Sequence, residues 1–236
     1  HALLLAQGFD EGAIAALFAR IPEEDFLRSR PGHLAWQAAS LLLAYPDDDH
    51  AERLATVGEL IEHFRGPARE TLSRAHAALC ARDPHQAAQD FVATFDLAKR
   101  TTMYLTFWTA GDTRNRGAAM HAFLTAYREA GVMEPKTEAP DHLPVVLEFA
   151  ARIDPDAGRR LLIEHRVAID LLADALAERG SPYADAVVAV RATLPPATEQ
   201  EVQRADRLAQ AGPPAEAVGL KPFTLTVPPR RPVGAQ

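Results

Sequence analysis

Gly111-Asp112-Thr113-Arg114-Asn115-Arg116-Gly117 places two arginines in the first turn of a helix that Met120, Phe123, Leu124 and Tyr127 carry onward at helical spacing. A helix N-terminus carries about half a positive charge, so each cation there costs about 0.3–1 kcal/mol unless an acceptor compensates. Asp112 is the favoured N-cap, with Thr113 as its rival. A second unusual helix start follows at Pro140-Asp141-His142-Leu143-Pro144. Pro144 suits a first helical position, where its missing N–H is no loss. Glu148 lies one turn in, and helical side chains lean toward the N-terminus, so its carboxylate is expected over the loop that holds Asp141 and His142. Two readings of this polar group stand level. The residues cap and pair internally, with Arg114 or Arg116 as counter-charges, or both helix starts line a recess for a partner's polar groups. Arg116, nearer the helix body, is the structural candidate. Asp141 and His142 are the partner-facing ones, and Glu148 suits either side. His142 alone reads as a hydrogen-bonding residue rather than a ligand or an acid–base group. Tyr104, Phe107 and Trp108 read first as core, and they are also the densest supply of aromatic walls for a peptide groove.

Signals of catalysis are missing. No two of the nine histidines are three or four residues apart, so no helix face presents a pair of imidazoles to a metal, and no Glu-x-x-His occurs. His50-Ala51-Glu52 has the His-x-Glu of zinc deaminases without the Pro-Cys-x-x-Cys that must accompany it. A phosphate loop, a dinucleotide-binding glycine motif and a nucleophile elbow are all absent. Glu59 and Glu62 read as solvated surface. The sequence therefore assigns no catalytic residue, no metal site and no cofactor, and Cys80 is the single cysteine.

The elements that must position the two helix starts read as helices throughout. Within 236 residues, 47% hydrophobic content supplies a sizeable core, and period-2 runs are nearly absent. Helices are expected at 10–20, 22–29, 33–45, 67–82 and 84–95, with one between whose stripe is Leu54, Val57, Ile61 and Phe64. Asp83-Pro84 is an N-cap followed by proline. Residues 101–109, rich in aromatic and β-branched side chains, are read as helix although strand competes there. Further helices are expected from Gly111 to Gly131, from Pro144 to Ile153, as one long helix from Asp156 to Gly180, and from Ser181 to Leu194. Beyond Pro195-Pro196, proline, alanine, glutamine and glutamate take over. That tail is expected to be disordered apart from a candidate helix at 198–210, and disorder is favoured over a short docking strand around Phe223, Leu225 and Val227.

A net charge of −7 argues against a nucleic-acid binder and suits a basic partner. No apolar stretch approaches the ~20 residues of a membrane span. Residues 1–19 lack a basic start and are interrupted by Asp10 and Glu11, so they are not read as a secretory signal. Together with the lone cysteine, this makes a cytoplasmic location the expectation.

Four blocks, in order and at matching spacing, resemble the NarJ-type nitrate reductase assembly chaperones: Leu41 to Asp47, Phe91 to Asp96, Tyr104 to Gly117 and Pro140 to Phe149. Ala139 departs from the family's usual leucine. The resemblance covers about residues 34–194. It implies a single compact all-α domain of the TorD-like type, with 1–33 as an N-terminal extension of unassigned role and 195–236 as a mobile Pro-rich tail. It also implies a chaperone that is not an enzyme. Its partner is the apo catalytic subunit of respiratory nitrate reductase, recognised by that subunit's N-terminal segment and held competent for molybdenum cofactor insertion; proteins of molybdenum cofactor synthesis are further candidate partners. By the same resemblance, the partner-peptide site comprises Tyr104, Asp112, Arg114, Arg116, Pro140, Asp141, His142, Leu143, Pro144 and Glu148. Chaperones of dimethyl sulfoxide or trimethylamine N-oxide reductases are the alternative, and a nucleotide- or small-ligand-binding helical protein is the more distant one.

Overall fold

A computed structural model describes residues 31–214 apart from Phe64 and Glu134. Eleven α-helices run through these residues: α1 (Pro31–Leu42), α2 (His50–Glu62), α3 (Pro67–Cys80), α4 (Pro84–Phe91), α5 (Phe107–Ala110), α6 (Arg114–Glu129), α7 (Leu143–Arg152), α8 (Pro155–Glu164), α9 (Arg166–Glu178), α10 (Ala184–Thr193) and α11 (Glu199–Ala211). The fold is all-α. The expected helices at 10–20 and 22–29, and the choice between disorder and a strand around Phe223, Leu225 and Val227, lie outside the described residues.

Helix α1 is the centre of the core. Every residue from Leu34 to Leu43 is buried, as a helix apolar on all sides requires. It packs against α7, α2, α10 and α3. Helix α7 is buried from Leu143 to Ala151, and α8 approaches it closely through Gly158, where a Cβ would stand 2.4 Å from the Ala150 Cα. Local signals set most helix starts: Asp83 accepts from the Gln86 N–H, Asp154 from the Ala157 N–H, and prolines open α3, α4, α7 and α8.

Three expectations change. Residues 101–109 are not one helix: a 3-10 turn spans Lys99–Thr101, α5 covers only Phe107–Ala110, and Tyr104 between them forms an antiparallel bridge with His142. The partner that rewards the segment's β character is a loop some forty residues on, invisible to a local reading. The long helix from Asp156 to Gly180 starts one residue earlier, after the Asp154 cap, and breaks at His165. That residue leaves helical backbone angles, and its Nδ1 hydrogen-bonds the Leu161 carbonyl. Thr113, not Asp112, caps α6, its hydroxyl accepting from the Asn115 N–H. The candidate helix at 198–210 is present as α11: Thr198 and Glu201 form a reciprocal capping box that opens it, and it packs against α9.

Among the described residues no helix is long and apolar enough to cross a membrane.

Candidate partner-binding site

The two unusual helix starts are joined by backbone. Leu105 N–H donates to the Asp141 carbonyl at 3.0 Å and Leu143 N–H to the Met103 carbonyl at 2.9 Å, which sets Tyr104 beside His142 with ring centroids 5.2 Å apart. Between these bonds the Asp141 side chain is fully buried. Its Oδ2 accepts from Thr106 N–H at 3.0 Å and from the Thr106 hydroxyl at 2.6 Å, so it caps the turn that leads into α5. The Arg116 Nη2 lies 3.6 Å from Oδ1, and its guanidinium covers the Tyr104 ring at 4.9 Å. Here is the compensation that an arginine in a first helical turn demands: a buried carboxylate and an aromatic face. Tyr127, buried on α6, donates its hydroxyl to the Pro140 carbonyl at 2.7 Å and closes the unit from the other side.

Glu148 belongs to a different network. It is fully buried against α1, where Gln37 Nε2 donates to Oε2 at 2.7 Å, and Arg152 Nε stands 3.8 Å from Oε1. Ser40 on the same face of α1 donates to the Pro144 carbonyl at 2.8 Å. Burial raises the Glu148 carboxyl above its ordinary range, with Arg152 and the Gln37 bond opposing the shift. The expected single site of Asp141, His142 and Glu148 is therefore two: the leaning of Glu148 carries it to α1, not over the loop.

The ten residues expected to meet a partner divide by exposure. Asp112 and Arg114 are exposed, and Tyr104, Arg116, Pro140 and His142 are half-buried. Asp141, Leu143, Pro144 and Glu148 are buried, so a docked partner cannot touch them in this conformation. Asp141, expected to face a client, is fully buried with both Thr106 donors and Arg116 around it. Thr106, Gln37, Tyr127 and Glu138 were missed. Gln37 and Ser40 had a signal, since two polar residues at i, i+3 in an otherwise apolar helix must find buried partners.

What remains accessible beside the exposed Asp112 and Arg114 is a largely buried aromatic pair with Glu138 next to it and Arg116 over the Tyr104 ring. Burial lowers the His142 imidazole to about 4, partly offset by Asp141, so it is neutral at physiological pH and its 3.6 Å approach to Glu138 is not an ion pair there. Burial raises the Tyr104 phenol and the Glu138 carboxyl, and the Asp96 charge pushes both the same way. The bridge exposes no free strand edge. Tyr104 C=O accepts from Phe107 N–H, His142 N–H donates to Ala139 C=O, and His142 C=O accepts from Val146 N–H. With its backbone groups satisfied, this surface offers side chains, not a template for an added strand.

Fold and site together define an all-helical scaffold without strands among the described residues. Its relatives place it more narrowly. Residues 61–189 match the family described as the nitrate reductase delta subunit. The "Nitrate reductase-like protein NarX" of Mycobacterium tuberculosis (strain H37Rv) is 53% identical over 157 residues, covering 66% of this chain and 24% of that protein. The "Probable nitrate reductase molybdenum cofactor assembly chaperone NarJ" of Bacillus subtilis (strain 168) is 30% identical over 162 residues, 68% of this chain and 88% of that protein. The Escherichia coli (strain K12) NarJ, named as the same kind of chaperone, is 30% identical over 151 residues, 61% of this chain and 63% of the other. The chain belongs to the nitrate reductase delta subunit family. It spans about a quarter of the length of the mycobacterial NarX it matches. Residues 1–40 match a second family, described as the uridylyltransferase GlnD fifth domain. A "Bifunctional uridylyltransferase/uridylyl-removing enzyme" of Xanthomonas oryzae (strain MAFF 311018) is 58% identical over 42 residues, 18% of this chain and 5% of that enzyme.

Proposed function

We propose that the chain is a cytoplasmic, non-catalytic chaperone of nitrate reductase. It binds the apo catalytic subunit through that subunit's N-terminal segment and keeps it competent for molybdenum cofactor insertion and complex assembly. Family membership supports the client. The observation that carries the mode of binding is the Tyr104–His142 pair: aromatic, partly buried, within the fields of Asp96 and Glu138, with every bridge carbonyl and amide engaged. Such a face suits a helix laid in a groove, with its basic residues meeting acids, better than an added strand. Tyr104, Asp112, Arg114, Arg116, Pro140 and His142 are the residues for direct contact. Asp141, Leu143, Pro144 and Glu148 hold them in place from beneath.

Calorimetry of the full chain with a synthetic peptide of the catalytic subunit's amino terminus tests this reading. The expected result is 1:1 binding that weakens as salt rises, because exposed charge pairs are screened within a Debye length. Binding that is tight and insensitive to salt refutes the electrostatic part, and absence of binding refutes the client segment.

A further inference from the structure

Helix α11 is held differently from the other described α-helices. None of its residues is buried, and of its apolar side chains only Ala205, Leu208 and Ala209 rest partly buried on the core, along one face against α9. Polar anchors secure its C-terminal end. Arg100 Nη2 donates at 2.6 Å to the Ala209 carbonyl, one of the last-turn carbonyls that no helical N–H can reach. Two residues past the helix C-cap, the Pro214 carbonyl is seated on Gly111, where a Cβ would stand 1.8 Å from it. Nearer its start, the Arg204 charge acts on His165, whose ring lies 4.7 Å from Phe123 of α6. The helix thus runs along α9 from the α8–α9 break to the loop just before Asp112. Its start carries its own capping box, so the N-terminal amides need no partner from the core. It also lies beyond residues 61–189, the span of the family match.

An amphipathic helix that lays small apolar side chains along a groove, tied only at its end, is the arrangement a client helix would take. We propose that α11 covers, in the free protein, the face of α9 that leads to Gly111 and the Tyr104–His142 surface, and that the client's N-terminal helix, on reaching that surface, displaces it. This rests on the client reading above. The docked helix reduces the apparent client affinity by the fraction of molecules whose groove is open, so loosening α11 raises that affinity by the same factor. Ala205→Glu loosens it: the new carboxylate would be forced against α9, while α11 stays capped and Tyr104 to Arg116 are untouched.

The test is amide hydrogen exchange and calorimetry on the full chain and on Ala205→Glu, with the synthetic catalytic-subunit peptide as probe. Peptide binding should strip protection from residues 199–211 of the unsubstituted chain. Ala205→Glu should show that loss without peptide and bind the peptide several-fold more tightly; binding by Ala205→Glu alone supports the proposal as well. Binding to both chains with equal affinity while 199–211 stays protected overturns the displacement and leaves the client reading standing. Binding to neither overturns both.

Discussion

Replacing Arg116 with glutamine should destabilise the fold although the residue is one-fifth exposed. Removing one member of a buried ion pair costs about 3–5 kcal/mol when the charge left behind has no other partner. Asp141 keeps two Thr106 donors, and the 3.6 Å approach is longer than the ~2.7–2.9 Å of a charge-assisted bond, so the lower end applies. The Arg116 side chain is 21% exposed, so water already screens part of the attraction. Losing the contact with the Tyr104 face adds about 0.5–1 kcal/mol. Relief of a cation in the first helical turn returns about 0.3–1 kcal/mol. The net is about 2–3 kcal/mol, or about 4–12 °C in Tm for a domain of this size. Thermal and urea unfolding of Arg116→Gln, Asp141→Asn and the double variant give both the loss and the coupling between the two sites. Arg116→Lys should recover part of the loss, since it keeps the charge but not the planar fork. A Tm for Arg116→Gln within about 2 °C of the unsubstituted protein, or no coupling to Asp141, would refute the reasoning.

Glu148→Gln probes the other buried carboxylate. Its raised folded-state value means the native protein binds more protons than the unfolded chain above the ordinary carboxyl range, so its contribution to stability falls as pH rises. The stability of the unsubstituted chain relative to Glu148→Gln should fall between pH 5 and pH 8 in urea titrations, and a rise would contradict the assignment. His142 has the opposite sign: with a folded value of about 4, the unfolded chain takes up the proton first as pH falls from 6.5. Its stability contribution relative to His142→Asn should therefore decline across that window in thermal melts, and a pH-independent difference would contradict the burial of its neutral ring. Gly158→Ala should cost about 1–3 kcal/mol by wedging α8 from α7, and an unchanged urea midpoint would deny the close approach of those helices.

Capping and apolar spacing made most helices legible in the sequence: Asp83-Pro84, Gly66-Pro67 and the stripe ending in Tyr127 needed only local rules. What local rules could not supply was a partner remote in sequence. Tyr104 bridges His142, a pairing that turned an expected helix into an extended segment, and Asp141 found its donors in Thr106 rather than in the next turn. Glu148 illustrates the same limit, since the lean of a helical side chain gives its direction but not the Gln37 that waits there. The contrast between Arg114 and Arg116 was half legible. Both break the dipole rule, and only depth in the fold shows that Arg116 is the one set against a buried acid.

The central claim is that this chain holds the apo catalytic subunit of nitrate reductase by its amino-terminal segment. Capture of that subunit by the full immobilised chain, with the segment present and with it deleted, tests the claim directly. The account predicts capture of the intact apo subunit and its loss on deletion. Equal capture of both forms, or capture of neither, would contradict it.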